Sequence, residues 1–453
     1  MEETIAAIST PIGEGGIAIV RLSGPRAIGI ADAIYVSPRG RVADFSTHTV
    51  HFGSIGRNGE IIDQVMLTVM RAPKTYTAED VVEINCHGGL LTAKNILGQC
   101  LTHGARLAEP GEFTKRAFLN GRIDLTQAEA VMDLIGAKTN RAHTAAVHAL
   151  EGHLSKRLEE ARERLITVLA HIEATIDFPE DDLSADTREK WLADTTAIMA
   201  FLNQLLATAQ EGRVLRQGIA VAIIGRPNAG KSSLMNALLG QDRSIVTPIA
   251  GTTRDTIEET ANIRGIPIRL TDTAGIRKPR GAVEHHGISR SRKSLEASDL
   301  ILHIVDNSRV FSKTDSELSA LYEGKPAIQV LNKLDLPKKL VLPAEFPKRE
   351  TVAVSSLLGD GIEQLKDKIE AIAWSGRVGS ADVDVAINER QADAIRRSLK
   401  SLTTATEEMN GKSSQEIISQ ELRISLDAIG EIVGKTATED ILAKIFSTFC
   451  IGK

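Results

Sequence analysis

Short apolar runs broken by glycine and proline fill the first 118 or so residues. Gly16-Ile17-Ala18-Ile19-Val20-Arg21 and Val65-Met66-Leu67-Thr68-Val69 have the β-branched texture of strands, and His87-Gly88-Gly89 and Pro110-Gly111-Glu112 mark turns or close backbone approaches. Near residue 120 the period changes. Leu154, Leu158, Leu165, Leu169, Ile172 and Ile176 recur at steps of three, four or seven, which predicts one apolar face of a long helix ended by Phe178-Pro179. Trp191, Ile198, Leu202 and Leu205 predict a second long helix, stopped near Gly212. Such stripes read as bundle core rather than as cofactor contacts. From about 216 to 375 the short runs Ile219 to Ile224, Ile301 to Val305, Ala327 to Leu331 and Val352 to Val354 alternate with helical stretches, the pattern of a doubly wound parallel sheet. After about 380 helix returns, with Ile417, Ile418, Leu422, Leu426, Ile429 and Val433 assigned to one face.

The simplest architecture nests an α/β domain in a helical one: an α+β domain over 1–118, a first helical part over 119–215, the α/β domain over 216–378 and a second helical part over 379–453. A length of 453 residues accommodates about three domains. Lys and Arg number 54 against 59 Asp and Glu, so any nucleic-acid contact has to be a local patch. Aromatics at 3% argue against a base-stacking platform. Cys86, Cys100 and Cys450 are too few and too scattered for a disulfide framework or a zinc ribbon. Met1-Glu2-Glu3 lacks the positive start of a signal peptide, and no segment approaches the roughly 20 apolar residues of a membrane span. The expectation is a cytoplasmic protein with no membrane attachment.

The chemistry concentrates in the third segment. Gly225-Arg226-Pro227-Asn228-Ala229-Gly230-Lys231-Ser232, continued by Ser233, fits GxxxxGK[ST] between a strand and a helix. Its backbone N–H groups suit phosphates, Lys231 the β- and γ-phosphates, and the Ser232 hydroxyl Mg²⁺. Asp272-Thr273-Ala274-Gly275 follows a strand-like run; its carboxylate suits Mg²⁺ through water and its glycine N–H a γ-phosphate. Asn332-Lys333-Leu334-Asp335 follows another, and a carboxylate there accepts both N1–H and the 2-amino group of guanine, so the nucleotide expected is GTP. Ser355 supports the O6 side. Thr247-Pro248-Ile249-Ala250-Gly251-Thr252-Thr253-Arg254 has the small residues and hydroxyls of a switch, with Thr252 or Thr253 closing on the γ-phosphate. Ile276 stands where Ras-type enzymes carry a water-orienting glutamine, which leaves Glu284 as a candidate base and Arg254 or Arg277 as candidate charge stabilisers, with a solvated switch-loop charge as the alternative for each.

With these motifs, Pro110-Gly111-Glu112-Phe113-Thr114-Lys115-Arg116-Ala117-Phe118-Leu119-Asn120 and the terminal Phe449-Cys450-Ile451-Gly452-Lys453 resemble the MnmE (TrmE) tRNA-modification GTPase family over essentially the whole chain. The resemblance implies a multidomain fold: an α+β N-terminal folate-binding and dimerisation domain, an all-α helical bundle domain, and an α/β P-loop GTPase domain inserted in the helical domain. It implies a tetrahydrofolate derivative (5,10-methylene or 5-formyl) held by Arg21, Glu83, Arg122 and Lys453, with arginine at 122 where members often have lysine. It implies K⁺ held by Asn228, Thr247, Ile249 and Thr252, Mg²⁺ held by Ser232 and Thr253, and Glu284 as general base. The family forms a homodimer and a heterotetramer or larger complex with the flavoprotein MnmG (GidA), which carries FAD. Together they add an aminomethyl-type group, such as carboxymethylaminomethyl, to C5 of the wobble uridine of certain tRNAs. Cys450 matches a family cysteine, either catalytic or without chemistry.

Three further signals have bland readings. His285-His286 face different ways on a helix and read as solvated residues. Arg396, Arg397 and Lys400, like Arg290, Arg292 and Lys293, suit tRNA phosphates or an ordinary charged helix face equally. A ribosome-assembly GTPase of the Era or Der kind is the alternative, although neither a second G domain nor a basic tail is present.

Overall fold

The computed structural model describes residues 3–38, 40–57, 59–177, 185–240, 259–272, 295–344, 346–347, 349–374, 385–411 and 414–453; the side chains of 185–187, 259 and 271–272 are outside that description. The chain opens with β1 (Ile5–Ile8), β2 (Ile17–Ser23), α1 (Ala27–Ile34), β3 (Tyr35–Val36), β4 (Thr49–Arg57), β5 (Glu60–Met70), β6 (Val81–His87), α2 (Leu90–Thr102) and β7 (Arg106–Leu107). They form a seven-stranded sheet in the order β3-β4-β5-β6-β2-β1-β7. Only β7 runs parallel to its neighbour, β1. Alternate residues of β2, Val20 and Leu22, are buried with Ile30, Ile34, Ile96 and Cys100 of α1 and α2, so helices cover one sheet face. On the other side Ile5 and Ala7 pack on Phe113.

Helices follow: α3 (Glu112–Leu119), α4 (Leu125–Gly136), α5 (Asn140–Leu150), α6 (His153–Asp177), α7 (Ala185–Ala207) and α8 (Ala209–Gln217). The bundle core joins both flanks of the α/β segment. Leu158, Leu165, Ile172, Ile198 and Leu202 interlock with Ile395, Leu402, Leu422 and Ile429, which come from α12 (Glu389–Asn410) and α13 (Gln415–Val433). Each such buried aliphatic side chain contributes about 1.5–3 kcal/mol. The 3.6-residue periodicity places these faces well, with two corrections. Ile417 is exposed, one position off the buried stripe of α13. The second long helix breaks at Thr208, not Gly212. Gly212 lies inside α8, where a side chain would put a Cβ 2.2 Å from the Ile387 carbonyl oxygen; close contact between the helix and the returning chain, not termination, is what that glycine serves.

The α/β segment contains β8 (Ile219–Gly225), α9 (Lys231–Leu239), β9 (Glu259–Ile263), β10 (Ile266–Asp272), β11 (Leu300–Asp306), α10 (Lys313–Ala320), β12 (Ala327–Asn332), β13 (Glu350–Val354) and α11 (Ile362–Ala373). Its sheet runs β13-β12-β11-β8-β10-β9, with only the β9 edge antiparallel. Val221 and Ile223 face one core and Ala222 and Ile224 the other, which accounts for the unbroken apolar run. The last helix, α14 (Glu439–Phe446), brings Phe446 and Phe449 against Leu125 and Ala128 of α4.

Candidate functional site

The carboxyl ends of parallel strands β8, β11 and β12 line one edge of the second sheet, where open α/β folds bind ligands. After Gly225 the loop turns sharply. Asn228 has a φ of 62° and Gly230 one of 96°, and α9 starts at Lys231. A Cβ on Gly230 would lie 2.2 Å from Nδ2 of Asn332, so glycine is required by space as well as by φ. The Lys231 ammonium reaches back over the loop and donates to the carbonyls of Gly225 and Arg226, both at 2.9 Å. Ser232 and Ser233 occupy the first turn of α9, the end whose free N–H groups favour anions.

The second wall of the cradle is the turn after β12. Asn332 is buried; its Nδ2 donates to the Ala229 carbonyl at 3.0 Å, and its Oδ1 accepts from the Ser356 amide at 3.1 Å and hydroxyl at 2.9 Å. This side chain therefore fastens the phosphate loop to the loop after β13. Lys333, held at a φ of 68°, donates to the Asn228 carbonyl at 2.8 Å and to Asp306 Oδ2 at 2.7 Å. Asp335 Oδ1 accepts from the buried Ser355 hydroxyl at 2.6 Å, which fixes the carboxylate in place for a base edge.

Asp306 is a member of the cradle that the sequence reading missed. It ends β11, and nothing in its one-residue context announces it. Burial pushes its carboxyl up, and hydrogen bonds from Lys333 and Ser308 outweigh that, leaving it below the ordinary carboxylate range. Arg226 pairs similarly with the fully buried Asp315 at 3.2 Å, anchoring the phosphate loop to α10. Strand β10 ends at Asp272, in register with Ile223 beside the phosphate loop. The Asp272 side chain, the switch residues Thr247, Pro248, Ile249, Ala250, Gly251, Thr252, Thr253 and Arg254, Thr273 to Gly275, Ile276, Arg277, Glu284, His285-His286, Arg290, Arg292 and Lys293 lie outside the described residues.

A second cluster forms where the two chain ends meet. Arg21 and Glu83 are cross-strand partners on β2 and β6, and their side chains pair at 2.7 Å. Arg21 Nη1 also donates to the Gly452 carbonyl at 3.3 Å, and its guanidinium lies 5.6 Å from the centre of the Phe113 ring. The tail is docked by backbone: the Gly111 N–H donates to the Cys450 carbonyl at 3.4 Å, the Phe113 N–H to the Lys453 carbonyl at 3.2 Å, and Ile451 bridges to Pro110. Arg122 donates to the Thr75 carbonyl, with its guanidinium over the Tyr76 ring at 5.6 Å. Burial holds the Tyr76 phenol above its ordinary value, and a hydrogen bond with Thr114 and the nearby charges of Arg21 and Arg122 offset only part of that rise. Tyr76, under Arg122 and within the field of Arg21, is a second residue that sequence patterns did not reveal. Cys450 is exposed; Cys86 and Cys100 are buried, and burial pushes the Cys100 thiol up to about 12.

The Pro-Gly-Glu-Phe-Thr-Lys-Arg motif supports this cluster from below. Arg116, 1% exposed, joins Glu112 at 2.9 Å and Glu79 at 3.1 Å, and Glu112 also takes Arg106 at 2.6 Å. Arg396 and Arg397 are paired with Glu389, Asp393 and Glu431, so that helix face is charge-balanced. Among the described residues no helix is long and apolar enough to cross a membrane.

Two family models match nearly all of the chain. Residues 4–122 match the GTP-binding protein TrmE N-terminus, and residues 125–450 match the MnmE helical domain. The tRNA modification GTPase MnmE of Enterococcus faecalis is 46% identical over all of this chain and 98% of its own length. That of Bacillus licheniformis is 45% identical over all of both chains. Among solved structures, Aquifex aeolicus Era bound to GDP·AlF₄⁻ shares 30% identity over 40% of this chain and 65% of its own, at a TM-score of 0.26.

Proposed function

The chain belongs to the MnmE family of tRNA modification GTPases, and on that premise we propose that it is a K⁺-activated GTPase that uses a tetrahydrofolate one-carbon unit to modify wobble uridine. It is a GTP hydrolase acting in tRNA modification, and the ribosome-assembly alternative gives way to that assignment.

The observation that carries the finer reading is the meeting of Arg21, Glu83, Arg122 and the 450–453 tail around Tyr76 and Phe113. A folate offers glutamate carboxylates to arginine and a donor-rich pterin edge to Glu83, and an aromatic floor suits its flat rings. Glu83 is held as an acceptor by Arg21, and Arg122 lies over Tyr76, so such a ligand is offered both a carboxylate and a guanidinium. Lys453 supplies a further cation at the tail. In the nucleotide cradle Lys231 balances phosphate charge, Ser232 places a hydroxyl for Mg²⁺, and Asp335, oriented by Ser355, accepts the guanine edge. Asn228, exposed at the top of the loop, presents its side chain for K⁺ together with Thr247, Ile249 and Thr252. A monovalent cation there supplies the charge compensation that other GTPases take from an arginine finger. Thr253 completes the Mg²⁺ site, Glu284 activates water, and Arg254 or Arg277 adds positive charge near the phosphates. The working unit is a homodimer joined to an FAD-bearing flavoprotein of the MnmG kind in the cytoplasm, with aminomethyl or carboxymethylaminomethyl groups placed on C5 of the uridine.

The test is nucleoside analysis of tRNA from cells lacking the protein. Loss of the C5-substituted wobble uridine is expected, together with slower GTP turnover by the purified protein when Na⁺ replaces K⁺. Unchanged wobble uridine overturns the modification reading, and equal turnover in both salts overturns the K⁺ site.

A further inference from the structure

Helix α4 touches both crossings of the chain between the bundle and the second sheet. The outgoing crossing is α8, ending at Gln217; the returning one passes through Ala386 and Ile387 to the start of α12. Two carboxylates one turn apart on α4, Glu129 and Asp133, each take an arginine from one crossing. Arg216 on α8 donates through Nε to Asp133 Oδ2 at 2.6 Å, and through Nη1 and Nη2 to the carbonyls of Ile387 and Ala386 at 2.9 and 2.7 Å. One guanidinium therefore ties the outgoing chain, the returning chain and α4 together. Arg390 on α12 grips both oxygens of Glu129 at 2.8 Å and also donates to the carbonyls of Glu431 and Ile432 at 3.1 Å. Gln391 adds a third donor to Glu129 at 2.8 Å.

A single anchor would let α4 swivel. Two anchors four residues apart, roughly 6 Å along the axis, fix its direction. Planar arginine forks add an orientation that a lysine point charge lacks. Packing is thinner at this end of α4: a cavity of about 240 Å³, lined by Gly136, Ala137, Ala145 and Ala146, opens beside Asp133 and Arg216. The far end of α4 belongs to the tail cluster. Its cap, Asp124, lies two residues after Arg122, and Leu125 and Ala128 pack on Phe446 and Phe449 just ahead of the docked tail. Beyond α4, Lys138 donates to Thr260 at 3.3 Å, and Ala142 is buried in the core of the second sheet.

We propose that Glu129, Asp133, Arg216 and Arg390 are positioning residues that make α4 a rigid strut, so that nucleotide-driven movement of the GTPase domain reaches the tail cluster instead of being absorbed at the crossings. This rests on the tail cluster being where modification chemistry takes place, so the test reads α4 directly as well as the product.

The full-length Glu129→Gln/Asp133→Asn protein keeps side-chain shape and removes both charges. GTP turnover is expected within about twofold of the parent, while the response of α4 backbone hydrogen exchange to GDP·AlF₄⁻, about fivefold or more in the parent, shrinks to background. Modified wobble uridine in cells carrying the variant is expected to fall at least about tenfold. Arg216→Lys, which retains charge without the fork, is expected to fall between the two, and it also serves if the double variant fails to fold. An α4 response that survives in both variants, or is absent from the parent, overturns the strut. A lost response with undiminished product overturns the placement of the chemistry at the tail cluster, and with it the strut's role.

Discussion

The nucleotide cradle and the tail cluster are built on opposite plans. In the cradle, each group stands at or beyond the carboxyl end of a parallel strand of one sheet: Lys231 past the loop after β8, Asp306 at the end of β11, Asn332 to Asp335 at and after the end of β12, and Ser355 after β13. Backbone turns aim the side chains, and links such as Asn332 to Ala229 hold neighbouring turns together. In the tail cluster, Arg21 and Gly452 lie 431 residues apart, and the cluster exists only when the two ends have met. A site of the first kind is specified by short strings of sequence. A site of the second kind is specified by the topology.

That contrast has measurable consequences. The largest is expected from Asp335→Asn, which removes the carboxylate proposed to accept from the guanine N1–H and 2-amino pair. GTP affinity should fall about a thousandfold, since a site built to pair polar groups rejects a mismatch strongly. Xanthosine triphosphate should regain binding, and tetrahydrofolate affinity should stay as it was. Titration calorimetry with the three ligands decides this, and a parallel loss of folate affinity would show that the two sites are not independently built.

Acid should separate the regions next. His303 is fully buried on β11, with its Nδ1 at 2.8 Å from the Tyr322 hydroxyl, and burial holds its imidazole down to about 4. A lowered histidine binds its proton in the unfolded chain first, so its stabilisation is complete above about pH 6.5 and lost as the pH falls towards 4. The full loss is about 3 kcal/mol. Under the N-terminal sheet, Glu112 is pushed up by burial but held below its ordinary value by Arg106, the Glu109 amide and Arg116, so its contribution is lost only as the pH falls below the usual glutamate range. Hydrogen exchange between pH 6.5 and 4.5 should therefore loosen the second sheet while the first holds, and His303→Gln should flatten that slope. Equal loosening of both sheets would contradict the assignment.

The smallest effect expected is local to the tail cluster. Glu83→Gln keeps an acceptor for Arg21 but removes its charge, and should weaken tetrahydrofolate binding about tenfold. GTP turnover in the absence of partner should not change. A variant that leaves folate affinity intact would remove Glu83 from the site.

The sequence made the strands of the second sheet and its phosphate loop legible because their signals are local: unbroken apolar runs buried on both faces, and glycines at fixed offsets from a lysine. It also made the long bundle helices legible through a 3.6-residue stripe. Asp306 and Asp315 were not legible, since an acid at a strand end or in a first helical turn looks solvated until the sheet places Lys333 or Arg226 against it. Gly212 was misread as a terminator because the chain segment that crowds it, at Ile387, is 175 positions further on in the numbering. Tyr76 and Phe113 escaped for the same reason. The tail cluster became visible only through family resemblance, which carries topology along with sequence.

The docking of residues 450–453 on β2 and α3 also sets an order of assembly. Synthesis at about 5–20 residues per second separates Arg21 from Gly452 by about 20–90 s. Through that interval one donor of Arg21, and from its own synthesis onward the Phe113 N–H, await partners that have not yet been made. The nucleotide cradle has all its residues, from Gly225 to Ser355, about 100 residues earlier than the tail. A chain that stops before residue 450 lacks the tail carbonyls that Arg21, Gly111 and Phe113 use, whatever the state of the first site. The contact between β2 and a residue made 431 positions later is thus a checkpoint on synthesis that the fold itself supplies.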